Sequence, residues 1–325
     1  NENEEINALF ISHLHNDHIS GVHKLLEHCD VKKIFLPAMT PNVIIEAYVH
    51  NVIETNDTIN NESNQLIEQL YSNSEKQDRI VNIGFANEDD DNYLRHYSHN
   101  DTDIETTGNI EAGVGLTSDR ISDWVYVPYN QKFDISSTFF DTFRNVKNDD
   151  GSINFDNLRQ ICADKELWER VKILYKETIN GSANLYSMTV YSGYKDSYKF
   201  RKNKCCDRFR RDACCIDCQF SANCLYTGDF LASRENVNNL KDYYSYYWSD
   251  ITTIQVPHHG SLKLGEGHYD YRLYGFCKVA IISTKFGQYN GIPSNEVIMH
   301  IIDEKSVPIF VTEDERSIVE REYYI

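Results

Sequence analysis

The chain reads as a layered α/β protein, on two observations. Short apolar runs of strand type alternate with stretches of helical spacing along much of its length. Three of those runs end in loops that carry His or Asp. In α/β architectures ligands gather at the carboxyl ends of strands, so the runs that predict the fold also locate the candidate chemistry.

The elements follow in order. Ala8-Leu9-Phe10-Ile11 is a short strand run, and Ile19, Val22, Leu25 and Leu26 have helical spacing as far as His28. Lys33 to Leu36 reads as a buried strand closed by Pro37. Helices are predicted over 42–54 and 62–72, and an acidic, polar excursion over 84–109. Strands are predicted over 110–116 and 123–127. Two or three helices then run between about Ser136 and Thr178, with Leu167, Val171 and Leu174 on one face. After Asn180-Gly181 strands return at 185–191 and 224–227, separated by a basic, Cys-rich insert. The closing section predicts strands at 251–256, 279–283 and 307–311, with a helix over 295–303. The aromatic run Tyr243 to Trp248 reads as a helix packing onto a sheet.

Bulk properties narrow the function classes. At 325 residues with 41% hydrophobic content, the chain is large enough for a substantial core. No apolar run suits a membrane helix and no export signal opens the chain, so a cytoplasmic, reduced setting without a membrane partner is expected. Asn1 stands where an initiator Met is expected. The net charge of −18 argues against wholesale coating of nucleic acid. Charge is uneven, however: residues 195–211 hold eight basic and two acidic side chains. Tyr191, Tyr194, Tyr198, Phe200 and Phe209 interleave with that stretch, which reads either as a nucleic-acid grip or as a solvated hairpin.

The densest chemical signal is His13-Leu14-His15-Asn16-Asp17-His18. Residues two apart in an extended segment point the same way, so His13 and His15 can address one point. Asp17 and His18 follow where the chain turns into a helix. Three imidazoles and a carboxylate in six positions suit a borderline metal such as zinc. Two further motifs repeat the layout: Cys224-Leu225-Tyr226-Thr227-Gly228-Asp229, and Gln255-Val256-Pro257-His258-His259-Gly260-Ser261. Five Cys fall between Cys205 and Cys218. Cys205, Cys206, Cys215 and Cys218 are candidates for a small structural zinc, against the alternative of reduced thiols.

These three motifs together resemble the metallo-β-lactamase fold superfamily. Within it they are most similar to the C-terminal domain of the DNA-uptake competence channel ComEC and to phosphorylcholine esterases. Asn184-Leu185-Tyr186-Ser187 and the segments Ile281-Ile282-Ser283 and Asn290-Gly291-Ile292-Pro293 add to the likeness. Ile292 stands where a His commonly precedes the Pro, so a substrate role for that His is absent. The likeness covers about residues 6–36 and 182–315.

The resemblance implies a single αββα sandwich domain over residues 1–325, with a mostly helical insertion over about 40–180 and the Cys-rich hairpin insertion over about 195–221. That fold normally opens with several strands before its His loop. Those N-terminal strands are missing here, or are supplied by another segment, by upstream sequence or by a partner chain. The resemblance also implies two divalent metal ions, zinc first with manganese or iron as alternatives. His13 and His15 would hold one, Asp17, His18 and His259 the other, and Asp229 would bridge them. His258 becomes a proton donor or oxyanion contact, a role exchangeable with that of His259, and Asp17 joins the catalytic set. A further ligand His is sought among His50, His96 and His99 and left unassigned.

The implied activity is hydrolysis by a water or hydroxide held between the metals. A phosphodiester, as in a phosphodiesterase or nuclease, is the first expectation. A small ester, thioester or lactam is the alternative, and a non-catalytic binding or scaffold role is the alternative of another class.

Overall fold

In a computed structural model, the chain is mixed α/β with one parallel and one mixed sheet. The structure describes residues 4–57, 61–73, 78–86, 101–118, 121–131, 137–179, 187–195, 223–262, 269–275, 277–284, 292–314 and 317. The basic, Cys-rich stretch, with the proposed zinc cysteines Cys205, Cys206, Cys215 and Cys218, lies outside the described residues, as do His96 and His99. Among the described residues no helix is long and apolar enough to cross a membrane.

The chain divides into two compact units. The first comprises residues 1–86, 105–112 and 130–188, and the second residues 87–104, 113–129 and 189–325.

The first unit is built on a parallel sheet in the order β1 (Glu4–Phe10), β2 (Cys29–Leu36), β3 (Ile80–Ile83) and β5 (Gly108–Ile110). Between β1 and β2 run α1 (Asn16–Ile19) and α2 (Val22–His28). The single helix expected across this stretch is broken, because Ser20-Gly21 ends one turn and Gly21 caps the next. Between β2 and β3 lie α3 (Pro41–Thr55) and α4 (Glu62–Asn73). The Thr40 hydroxyl accepts from the Val43 N–H and Pro41 fills the first turn, both favourable at a helix start. Asn56, at φ 56°, stops the helix in the left-handed region.

Helix α3 is buried along most of its length. It is packed by α5 (Ser137–Asp141), α6 (Phe155–Ala163) and α7 (Lys165–Thr178), whose Phe139, Leu158, Val171 and Tyr175, with Phe143 just after α5, share one core with Ile44, Tyr48 and Val49. Burying side chains of this size stabilises by about 1.5–3 kcal/mol each.

The second unit carries an eight-stranded sheet among the described residues. Its order is β12 (Val307–Val311), β11 (Val279–Ser283), β10 (Thr253–Gln255), β9 (Cys224–Tyr226), β8 (Thr189–Tyr194), β7 (Ile121–Tyr129), β6 (Gly115–Ser118) and β4 (Asp101–Asp103). Strands β9 to β12 run parallel and β6 to β9 antiparallel. The single strand expected over 110–116 is two strands, β5 and β6, in different sheets. The reason is local: Ala112-Gly113 forms a turn with Gly113 at φ +92°, which few residues but Gly accept. Among the described residues, positions 40–180 therefore carry five strands, β3 to β7, beside their helices.

Helix α8 (Arg234–Tyr243) and the short α9 (Ser245–Trp248) cover the sheet, and α10 (Asn295–Asp303) links β11 to β12. The Tyr243 and Tyr244 hydroxyls donate to the Pro128 and Val127 carbonyls of β7 at 2.7 and 2.8 Å. Tyr247 stacks on Tyr191 of β8 at 4.3 Å. The aromatic run thus packs as the sequence implies.

Candidate metal centre

In the first unit, β1 runs out into an extended stretch and the chain then turns into α1. Alternation places Leu14 in the core and sets His13 and His15 beside each other, each only 3% exposed. Their rings meet edge to face at 4.6 Å, and His18, one turn into α1, brings its ring within 4.0 Å of His13. Asp17 precedes it, with Oδ2 3.6 Å from His18 Nε2.

Each ring has a partner on one nitrogen. Ser12 Oγ lies 3.1 Å from His13 Nδ1 and 3.3 Å from His18 Nδ1. A hydroxyl has one proton and two lone pairs, so it donates to at most one of the two rings and accepts from the other or from both. His15 is turned the opposite way, with Nε2 3.3 Å from Glu46 Oε2.

Helix α3 secures the loop. Asn51, fully buried, donates from Nδ2 to the Leu14 carbonyl at 3.1 Å and accepts from the Asn16 N–H at 2.7 Å. The backbone on either side of His15 is thereby tied to one side chain. Glu46 accepts from the Tyr175 hydroxyl at 2.7 Å, and His50, whose ring stacks on His15 at 3.8 Å, lies 2.9 Å by Nδ1 from the same hydroxyl. Burial, then the neighbouring Glu46 charge, pushes the Tyr175 hydroxyl well above its ordinary pKa, so it stays a donor. Burial and the Asp17 charge also raise the Glu54 carboxyl, against the lowering effect of His15 and His18.

In the second unit two adjacent strand ends carry the other candidates. Thr227 Oγ1 donates to the Gln255 carbonyl at 2.7 Å, and Gln255 Oε1 accepts from the Thr227 and Gly228 N–H groups at 3.2 and 3.3 Å. This cross-bracing aligns the turns after β9 and β10. The His258 N–H donates to the Gly228 carbonyl at 3.0 Å, and His258 Nε2 lies 3.8 Å from Oδ2 of the buried Asp229.

His258 and His259 both sit in the left-handed region, at φ 49° and 55°. Such positions cost of order 1–3 kcal/mol each for residues other than Gly and persist only where the surroundings fix them. Gly260 continues the turn at φ +79°, where a Cβ would come within 2.7 Å of Pro293 Cβ. His259 Nδ1 donates to the Ser283 carbonyl at 2.8 Å, which puts the lone pair of the neutral ring on Nε2.

The donor chemistry fits a metal. The first unit offers three clustered imidazoles and a carboxylate, and the second a buried carboxylate and two imidazoles on a fixed turn. Imidazole and carboxylate together suit zinc, manganese or iron. Sequence reasoning missed Glu46, Asn51 and Tyr175. A usable signal existed for the first: Glu46 is the one charge in the run Val43-Ile44-Ile45-Glu46-Ala47-Tyr48-Val49. A lone carboxylate inside an apolar helix needs a buried partner.

Residues 2–37, which span β1, the His loop, α1, α2 and β2, match the family model of the metallo-beta-lactamase superfamily. That match supports the metallo-β-lactamase fold and points to a metal-dependent hydrolase in general. No curated protein matches the chain.

Proposed function

We propose that the protein is a metal-dependent phosphodiesterase, acting on a nucleic acid or a smaller phosphodiester. The observation that carries the reading is the cluster of the buried His13 and His15 with the partly buried His18, and Asp17 beside it, inside the segment that matches the superfamily. In this reading two divalent ions, zinc first, are held by His13, His15, Asp17, His18, Asp229 and His259. Bound there, they supply Lewis-acid polarisation of a phosphoryl oxygen and an activated water.

The protein's own groups do the rest. Ser12 orients His13 and His18 through their Nδ1 atoms, and the Ser283 carbonyl orients His259. His258, whose Nε2 faces the Asp229 carboxylate, protonates the leaving oxygen or contacts the charged phosphoryl oxygen. The likeness of the Thr227-Gly228-Asp229 and Val256 to Ser261 motifs to ComEC and phosphorylcholine esterases favours a phosphodiester over a lactam or thioester.

Metal analysis of the purified chain, followed by assays with bis-p-nitrophenyl phosphate and with single-stranded and duplex DNA, tests this. About two equivalents of metal are expected, with cleavage of at least one of these substrates and its loss in Asp229→Ala. Less than one equivalent would sink the hydrolase reading. Metal without phosphodiester cleavage, but with thioester or lactam hydrolysis, would transfer the assignment to that class.

A further inference from the structure

One face of α3 makes three successive contacts with the His loop: Glu46 with the His15 ring, His50 stacked on that ring, and Asn51 with the flanking backbone. We propose that Glu46 is a positioning residue for His15. Its carboxylate holds a proton on Nε2 and thereby assigns Nδ1 as the atom that ring gives to a metal, while Tyr175 and His50 fix Glu46 in turn. The proposal rests on the reading of His15 as a metal ligand.

The direction of each bond follows from what each atom can do. An ionised carboxylate only accepts, so His15 donates from Nε2 to Oε2. The Tyr175 hydroxyl has one proton and gives it to Oε1, so its oxygen accepts from His50 Nδ1. The relay runs from His50 through Tyr175 to Glu46 and ends on His15. Glu46 is 2% exposed, and a carboxylate so buried survives only with donors on its oxygens. Both of its oxygens have one.

His15, Glu46 and His50 also lie close enough to be considered as a metal trio in their own right. The ring geometry decides against it. The imidazoles of His15 and His50 are stacked at 3.8 Å with planes 14° apart. Imidazole lone pairs lie in the ring plane, so two nearly parallel rings do not aim them at one ion. Zinc ligands must converge at about 2.0–2.1 Å. A carboxylate partner on the non-ligating nitrogen of a His is instead the common way to fix tautomer and ring orientation, and losing it costs about 10–100-fold in metal affinity.

The test uses the full chain. Long-range proton–nitrogen NMR on the metal-free protein reads the His15 tautomer, expected as Nε2–H in the wild type. Zinc and manganese titrations then compare the wild type with Glu46→Gln and Tyr175→Phe. Both variants should weaken the metal, Glu46→Gln by about 10–100-fold and Tyr175→Phe by less, with the thermal midpoint of the metal-free protein recorded alongside. A wild-type His15 protonated on Nδ1 would overturn the proposal, as would undiminished affinity in both folded variants. Loss of one full equivalent of metal in His50→Gln would overturn it too, by making the trio ligands. If the wild type binds no metal, the hydrolase reading fails, while the tautomer measurement still decides this one.

Discussion

The two His-bearing loops hold their imidazoles by opposite means. After β1 the backbone is relaxed, with no positive φ from residue 11 to residue 20, and the rings are aimed by side chains: Ser12, Glu46, Asn51 and Tyr175. After β10 the backbone itself is the device. His258, His259 and Gly260 are all left-handed, and three main-chain bonds clamp the turn: His258 N–H to the Gly228 carbonyl, Ser261 N–H to the His258 carbonyl, and Ser294 N–H to the Gly260 carbonyl. A loop positioned by side chains is vulnerable to polar substitutions far along the chain. One positioned by strain is vulnerable to a single added methyl group, and its stored strain can be released.

The largest expected effect is at Gly260. Alanine there combines a left-handed backbone, costing about 1–2 kcal/mol, with a Cβ driven against the Pro293 ring, costing about 1–3 kcal/mol. Urea unfolding of Gly260→Ala should show a loss of about 3 kcal/mol. A loss under about 1 kcal/mol would mean the turn repacks easily, and the contrast between the loops would lose its basis.

Asn51→Ala comes next. It leaves the Leu14 carbonyl and the Asn16 N–H without their buried partner, at about 2 kcal/mol. Faster amide exchange should appear at Asn16 and spread little beyond the loop. A wild-type unfolding midpoint would show that water replaces the side chain and that the clamp is dispensable.

His258→Gly has the smallest effect and the opposite sign. Relieving one left-handed non-Gly residue should raise stability by about 0.5–1 kcal/mol, seen as a small rise in Tm, while phosphodiester cleavage falls. A lower Tm would show that the contacts of the His258 ring outweigh its backbone strain.

Local pattern made much of this legible. Helices α3, α4 and α10 and strands β11 and β12 follow from spacing and punctuation: each is an uninterrupted run, the helices open on the capping side chains Thr40, Asn61 and Ser294, and β12 carries Pro308 near its start. The Ala112-Gly113 turn was not legible, since Gly inside an apolar run reads equally as a strand interior. The candidate ligand motifs were visible because metal chemistry concentrates rare residue types. Their support was not: His15 and Glu46 are 31 positions apart and Glu46 and Tyr175 are 129 apart, so nothing local marks them as partners. The left-handed pair at His258-His259 is equally silent, except that Gly260 follows it.

The second sheet has a property that bears on how such a protein changes over time. From β6 to β12 its spatial order repeats the order of the chain, so each strand pairs with the one before it. A connection between such neighbours can lengthen without rewiring anything. Between β8 and β9 lie 29 residues, 195–223, where a short hairpin of about four would suffice. For a flexible connection in general, each doubling of length adds only about 0.6 kcal/mol of closure entropy. That edge of the architecture is therefore open to variation: its length, charge and cysteine content can drift or be exchanged while the strand ends bearing Asp229 and His258 keep their register.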